Sequence, residues 1–153
     1  MHRIGLISDT HGLLREEAVA ALAGSDQIIH AGDVGDESIL SALRKIAPVS
    51  AVLGNVDSAS ALPGLAETQI VEAADVLIYV LHDLGQLDLN PKVAGIAAVI
   101  SGHTHEPRIF ERNGVLFVNP GSAGPRRFSL PVSIGFLTIA EGRVSAELIE
   151  LRI

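Results

Sequence analysis

Short apolar runs and amphipathic stretches alternate through the first half of the chain. Ile4 to Ile7, Gln27 to Ile29 and Val49 to Leu53 have strand length, and Arg15 to Ala23 and Glu37 to Ile46 between them carry apolar residues at helical spacing. The order is βαβαβ, which predicts a largely parallel sheet with helical crossovers. In the first helix Leu14, Ala18 and Leu22 recur every four residues, Glu16 and Glu17 fill the first turn, and Gly24 stands where a left-handed cap is wanted. In the second, Asp36 is the candidate N-cap, Ile39, Leu40, Leu43 and Ile46 share one face, and Pro48 lies just past the end.

The second half is richer in strands: Gln69 to Val71, Val76 to Leu81, Ile96 to Ile100, Pro107 to Glu111, Val115 to Val118, Val132 to Ala140 and Val144 to Leu151. Asn113-Gly114 between two of these is a strong hairpin signal, because both positions tolerate positive φ. A short helix is expected within Leu84 to Gly95. No repeat, low-complexity tract or Pro/Gly/Ser linker divides the sequence, so residues 1–153 read as one α/β domain.

Five of the apolar runs end in polar residues of metal-ligand type. They lead into Ser8-Asp9-Thr10-His11, His30-Ala31-Gly32-Asp33, Gly54-Asn55-Val56-Asp57, His82-Asp83 and Ser101-Gly102-His103-Thr104-His105. Parallel strands deliver their C-terminal ends to one edge of a sheet, so these segments converge although they lie far apart in sequence. The donors on offer are Asp9, His11, Asp33, Asn55, His82, His103 and His105. Seven exceed the need of one ion, and two ions sharing a bridging Asp suit the inventory. Mixed His, Asp and Asn sets fit Mn²⁺, Fe, Zn²⁺ or Ni²⁺ better than Ca²⁺ or Mg²⁺. Such a pair lowers the pKa of bound water and clamps the attacking and leaving oxygens of an in-line displacement.

Composition narrows the class. With 48% apolar and 19% charged residues the chain is globular rather than disordered. Its net charge of −7, with 3% aromatics, excludes a general attraction to anionic lipid and leaves no stacking surface for a nucleic-acid polymer. Any anionic substrate therefore needs local positive charge, and two dications against two carboxylates and one hydroxide leave about +1 at the centre. The absence of cysteine removes thiolate ligands and thiol nucleophiles. The apolar run of four residues after Met1-His2-Arg3 is too short for a signal or a membrane span, so a soluble cytoplasmic protein is the default expectation.

The five blocks, in their order, resemble the calcineurin-like metallophosphoesterase superfamily, whose pattern is D-x-H, G-D-x-x-D, G-N-x-[DE], H and G-H-x-H. Here they read Asp9-Thr10-His11, Gly32-Asp33-Val34-Gly35-Asp36, Gly54-Asn55-Val56-Asp57, His82 and Gly102-His103-Thr104-His105. Length, spacing and the later Asn119-Pro120-Gly121-Ser122 resemble the small bacterial and archaeal phosphodiesterase branch. The resemblance implies a four-layer α/β sandwich, two mixed sheets face to face with helices outside. It implies that Asp9, His11 and His105 hold one divalent ion, that Asn55, His82 and His103 hold another, and that Asp33 bridges, with Mn²⁺ favoured. The implied reaction is attack by metal-activated hydroxide on a small phosphodiester, and a homo-oligomer is a family expectation.

The pattern is also departed from. Where many members carry His after the Gly-Asn pair, this chain has Val56, which neither binds phosphate nor protonates a leaving oxygen. Asp57 and Asp83 are candidate substitutes as acid, with Asp57 read first as orienting a ligand. Only 20 residues separate His82 from His103, so one wall of the site is expected to be reduced. His30 reads as a core or supporting histidine and His2 as an exposed terminal one. Arg126 and Arg127, after Pro125, are candidate phosphate contacts against a favoured solvated-surface reading. The functional alternatives are a phosphomonoesterase and a non-catalytic interaction scaffold, since a retromer subunit is similar to this family in fold.

Overall fold

The computed structural model describes residues 1–153. In chain order its elements are β1 (His2–Ile7), α1 (Glu16–Leu22), β2 (Gln27–His30), α2 (Glu37–Arg44), β3 (Val49–Ala51), β4 (Thr68–Ala73) and β5 (Val76–Leu81). A 3₁₀ turn (Leu84–Gln86) precedes β6 (Ile96–Ile100), β7 (Arg108–Arg112), β8 (Val115–Asn119), β9 (Ser133–Ala140) and β10 (Arg143–Glu150). They form two five-stranded mixed sheets, β10-β9-β1-β2-β3 and β4-β5-β6-β8-β7. The parallel cores are β1, β2 and β3 in the first sheet and β5, β6 and β8 in the second. Antiparallel β9 and β10 complete the first sheet, and β4 and β7 close the edges of the second.

Strict alternation of side chains explains the layering. Ile4 and Leu6 of β1, Ile29 of β2 and Leu137 and Ile139 of β9 point to the centre of the sandwich, where they meet Ile78, Val80, Ala98, Ile100 and Val118 of the second sheet. The opposite faces of the same first-sheet strands present Ile7, Ile28, Ile134 and Phe136 to Ala18 and Leu22 of α1 and to Ile39, Leu40 and Leu43 of α2. On the far face of the second sheet Tyr79, Leu81, Val99 and Phe117 are covered by Leu84, Leu87 and Leu89. The result is the four-layer α/β sandwich, with a 3₁₀ turn and coil as its fourth layer.

The short helix expected within Leu84 to Gly95 is present as a single 3₁₀ turn. Only Leu84–Gln86 winds, in 3₁₀ form, with Asp83 accepting from the Gly85 N–H at 2.9 Å. Pro91 disfavours α conformation at Asn90 and supplies no donor, so the chain there makes a single loose turn, closed by Ile96 N–H to the Pro91 carbonyl at 2.9 Å. Asp36 occupies the N-cap position of α2, but its carboxylate accepts from the Ser38 hydroxyl instead of from a helix N–H. His2 is likewise not a free terminal residue: it opens β1, half-buried, with Nε2 2.6 Å from Gln27 Oε1. Gly24 takes the expected left-handed conformation at φ 84°, and Asn113 and Gly114 turn the β7–β8 hairpin at φ 53° and 79°. No helix is long and apolar enough to cross a membrane.

Candidate metal centre

The loops after β1, β2, β3, β5 and β6 meet at the C-terminal edge of the parallel strands. Backbone bonds lock them together: Asp9 N–H donates to Gly32 O at 3.0 Å, His11 N–H to Asp33 O at 2.9 Å and Gly102 N–H to His82 O at 2.9 Å. The bends are sharp enough to force strained backbone. Asp9, His11, Asp33, His103 and His105 all sit at positive φ, between 47° and 75°, a region L-residues with side chains seldom adopt. Five of the seven sequence-predicted ligands are thus held in conformations that only their surroundings can enforce.

Glycines in these loops make room for their neighbours' carboxylates. A Cβ on Gly54 would collide with the Asp33 amide and carboxylate, and one on Gly102 would lie 2.7 Å from Asp9 Oδ2. The Gly preceding Asn55 and His103 is therefore dictated by close approach across loops.

Asp9 lies at the centre, fully buried. Its Oδ2 accepts from the Ser8 hydroxyl at 2.7 Å and the His103 N–H at 3.1 Å. Its Oδ1 has no hydrogen-bond partner and lies 3.4 Å from His105 Nε2, 3.8 Å from His82 Nε2 and 3.9 Å from His11 Nε2. Asp33 repeats the arrangement, with Oδ1 accepting from the Val56 N–H at 3.0 Å and Oδ2 standing 3.2 Å from His82 Nε2 and 3.5 Å from His11 Nε2. Two trios result, Asp9-His11-His105 and Asp9-Asp33-His82, each with its ligand atoms within 4.8 Å of one another.

Asp9 Oδ1, His11 Nε2, His82 Nε2 and His105 Nδ1 are buried without hydrogen-bond partners. Buried polar atoms are normally paired, and three of these, Asp9 Oδ1 with His11 Nε2 and His82 Nε2 at 3.9 and 3.8 Å from it, face one another in an arrangement that fits a cation. Burial raises the Asp9 pKa above the ordinary carboxylate range and lowers that of His105, which Arg127 lowers further. Burial works against the charged forms of Asp33 and His82 also, yet their mutual proximity outweighs it. Asp33, with the Val56 N–H added, is held at about 2, and His82 is raised.

The remaining predicted residues surround this nucleus. Asn55 and His103 are exposed, on the wall of a cleft of about 690 Å³ that also involves His82, Asp83 and Glu67. His103 Nε2 lies 4.0 Å from Asp83 Oδ2, and its ring meets that of His82 edge-on at 5.2 Å. These two predicted ligands therefore sit on the rim, on the His82 side. Asp57 is half-buried and accepts three backbone N–H groups, from Val34 (3.0 Å), Gly35 (2.9 Å) and Gly54 (2.9 Å), tying the β2 loop to the β3 loop. His30 is wholly buried, accepting from the Gly32 N–H at Nδ1 and facing the Thr10 hydroxyl at Nε2, and burial lowers its pKa to about 3. Arg126 and Arg127 line a hollow of about 270 Å³ with His11 and His105.

A family model for the calcineurin-like phosphoesterase superfamily domain matches residues 2–142. The chain belongs to that superfamily. A Methanocaldococcus jannaschii protein named probable metallophosphoesterase MJ0623 is 37% identical over 97% of this chain and 81% of its own length. Phosphodiesterase MJ0936 of the same organism is 30% identical over 88% of this chain and 92% of its own. Among solved structures, wild-type Vps29 from Entamoeba histolytica complexed with Zn²⁺ superposes with a TM-score of 0.76 at 22% identity, covering 97% of this chain and 98% of the other. Membership makes the chain a metallophosphoesterase by family, and divalent ions its expected cofactors.

Several residues besides the predicted ligands brace these loops. Ser8 orients Asp9. Ser122, which is buried, places its hydroxyl 3.2 Å from the Asp9 carbonyl. Asn119 donates through Nδ2 to Gly102 O at 2.9 Å and Thr104 Oγ1 at 3.1 Å, bracing the His103 to His105 loop. The signal for Ser8 was its place at the end of a wholly apolar run, where an unpaired hydroxyl is costly.

Proposed function

We propose that this chain is a dinuclear metal-dependent phosphodiesterase for small diesters. The observation that carries the reading is that the buried Asp9 Oδ1, which has no hydrogen-bond partner, faces the Nε2 atoms of His11, His82 and His105 at 3.9, 3.8 and 3.4 Å. Asp9, His11 and His105 form one trio, to which we assign the first ion. Asp33, whose Oδ2 faces both His11 and His82, would be shared between the two ions, and His82 with the rim residues Asn55 and His103 would hold the second. The mixed oxygen and imidazole donors favour Mn²⁺, with Ni²⁺, Fe and Zn²⁺ also suited. Two such ions, when bound, would supply a nucleophile at neutral pH and positive charge for the attacking and leaving oxygens.

The protein's own residues do the positioning. Ser8 and the His103 N–H hold Asp9 Oδ2, the Val56 N–H holds Asp33 Oδ1, and Ala31 O holds His82 Nδ1, so that the remaining donor atom of each faces inward. The Val56 side chain, 56% exposed, offers neither a phosphate contact nor a proton. That favours diesters, which carry one charge fewer than monoesters, and leaving groups that depart without a protein acid.

The test is hydrolysis of bis(p-nitrophenyl) phosphate by metal-stripped protein after separate restoration of Mn²⁺, Ni²⁺, Zn²⁺ and Mg²⁺, beside p-nitrophenyl phosphate. Diester turnover above monoester turnover is expected, greatest with Mn²⁺, and Asp33→Ala or His105→Ala should abolish it with the fold retained. Folded, metal-loaded protein without turnover sinks the enzyme reading in favour of a scaffold.

A further inference from the structure

The loop between β8 and β9 passes over the His11 and His105 side of the centre. Its Pro125, Arg126 and Arg127 close the hollow of about 270 Å³ against those two histidines. Of the nine arginines only Arg3 and Arg44 pair with a carboxylate, and among the seven without one, Arg126 and Arg127 are those that line this hollow. A chain of net charge −7 thus keeps two free guanidiniums beside the place where a phosphoester would lie.

The loop is fixed relative to the centre. The Ser122 hydroxyl lies 3.2 Å from both the Asp9 and the Pro125 carbonyl oxygens, Arg15 Nε donates to Gly124 O at 3.1 Å, and Leu130 N–H donates to Arg127 O at 3.1 Å. The turn closed by that last bond carries Phe128 at φ 53° and 90% exposed. A bulky residue in the left-handed region is strained, and here no burial offsets the strain. Phe117 and Phe136 are buried and Phe110 stacks on Phe117, so Phe128 is the one aromatic ring given over to water.

We infer that Arg126, Arg127 and Phe128 recognise the part of the substrate beyond the scissile phosphate, and that the substrate is a short nucleotide phosphodiester carrying a second, non-scissile phosphate. The inference rests on the phosphodiesterase reading. A diester phosphate brings a single charge, which the centre itself meets, so the two guanidiniums that line the hollow are left to meet a second anion. Their fork geometry suits a phosphate. An exposed phenyl ring on the same turn suits a nucleobase face, which stacks without needing hydrogen bonds. The net negative charge of the chain limits this to a short substrate, because a polymer meets repulsion beyond the loop.

The test compares metal-loaded wild type and variants on a 5′-phosphorylated dinucleotide, the same dinucleotide lacking the terminal phosphate, and bis(p-nitrophenyl) phosphate. Wild type should prefer the phosphorylated dinucleotide by about tenfold or more in kcat/KM, less so as salt rises. The double variant Arg126→Ala/Arg127→Ala should bring that preference close to one, chiefly through KM, and the corresponding Lys pair should restore part of it. Phe128→Ala should raise KM for both dinucleotides about tenfold without altering their ratio. A wild-type preference near one, or a preference the arginine variants leave intact, overturns the inference while bis(p-nitrophenyl) phosphate turnover keeps the phosphodiesterase reading standing. Loss of that turnover in wild type takes both down.

Discussion

His82 Nδ1 lies 2.8 Å from the carbonyl oxygen of Ala31. A carbonyl only accepts, so Nδ1 carries the hydrogen and Nε2 points its lone pair at Asp33. In the metal-free protein burial disfavours the charged ring, but Asp33 and the Ala31 carbonyl outweigh it and raise the His82 pKa above its ordinary 6.5. On the proposed assignment a proton and a metal ion would compete for one atom. Metal affinity should fall as pH drops through that raised value, while the proton's own stabilisation of metal-free protein is present below 6.5 and lost as pH rises. Calorimetric Mn²⁺ titrations from about pH 8 to about pH 6 check this; an affinity flat across that range refutes it.

Asp57 distinguishes bracing from acid catalysis. Its two oxygens accept three backbone N–H groups from Val34, Gly35 and Gly54, which leaves it engaged as an acceptor on both sides. Asp57→Ala should cost about 2–4 kcal/mol in denaturant unfolding, because half-buried N–H groups lose a charged partner. Asp57→Asn should cost less and leave the acid limb of the pH–rate profile unmoved. A variant that melts like wild type but loses that limb would restore the acid role.

His30 is locked neutral by its partners. Thr10 gives its hydroxyl hydrogen to Val34 O, so His30 Nε2–H must donate to Thr10, and Nδ1 accepts from the Gly32 N–H. Burial holds its pKa at about 3, against 6.5 unfolded. Between those values the unfolded chain binds the extra proton, so this contribution to stability is complete above 6.5 and is lost progressively as pH falls. Ring ¹⁵N shifts of folded protein should report the neutral Nε2–H tautomer from about pH 7 to about pH 5. His30→Gln should flatten the fall of the unfolding midpoint over the same range.

The convergence of the five loops was legible because ligand-type residues come directly after apolar runs, and parallel strands have only one place to deliver them. Element ends shifted by a residue or two, as at α2, which stops at Arg44 rather than Ile46. Leu84, Leu87 and Leu89 mimic a helix face, but they serve as a lid over Tyr79 and Phe117, and local spacing does not distinguish the two. Nor does spacing tell a buried histidine from an exposed one. His103 and His105 share a motif, yet the bend at positive φ exposes the first and buries the second. The partners of His2 and the brace from Ser122 to Asp9 span long sequence separations, and no periodicity encodes them.

Gly54 and Gly102 give the sharpest test of whether the centre's geometry, and not merely its ligand inventory, carries the activity. Neither has a positive φ, so alanine is admissible for the local backbone, and the obstacle is wholly the neighbour. At Gly102 the new methyl would overlap Ser8 Oγ and stand 2.7 Å from Asp9 Oδ2, the oxygen that Ser8 and the His103 N–H hold; at Gly54 it would overlap the Asp33 amide nitrogen and Oδ1. Each collision displaces an aspartate, or the group that holds it, while every donor residue remains. Gly102→Ala and Gly54→Ala should therefore keep their circular-dichroism spectra and lose about 100-fold in metal-restored kcat, since a displacement of about 1 Å in a preorganised site is that costly. Wild-type turnover in either variant would show that the centre tolerates such a shift, and that the close packing of these loops serves folding alone.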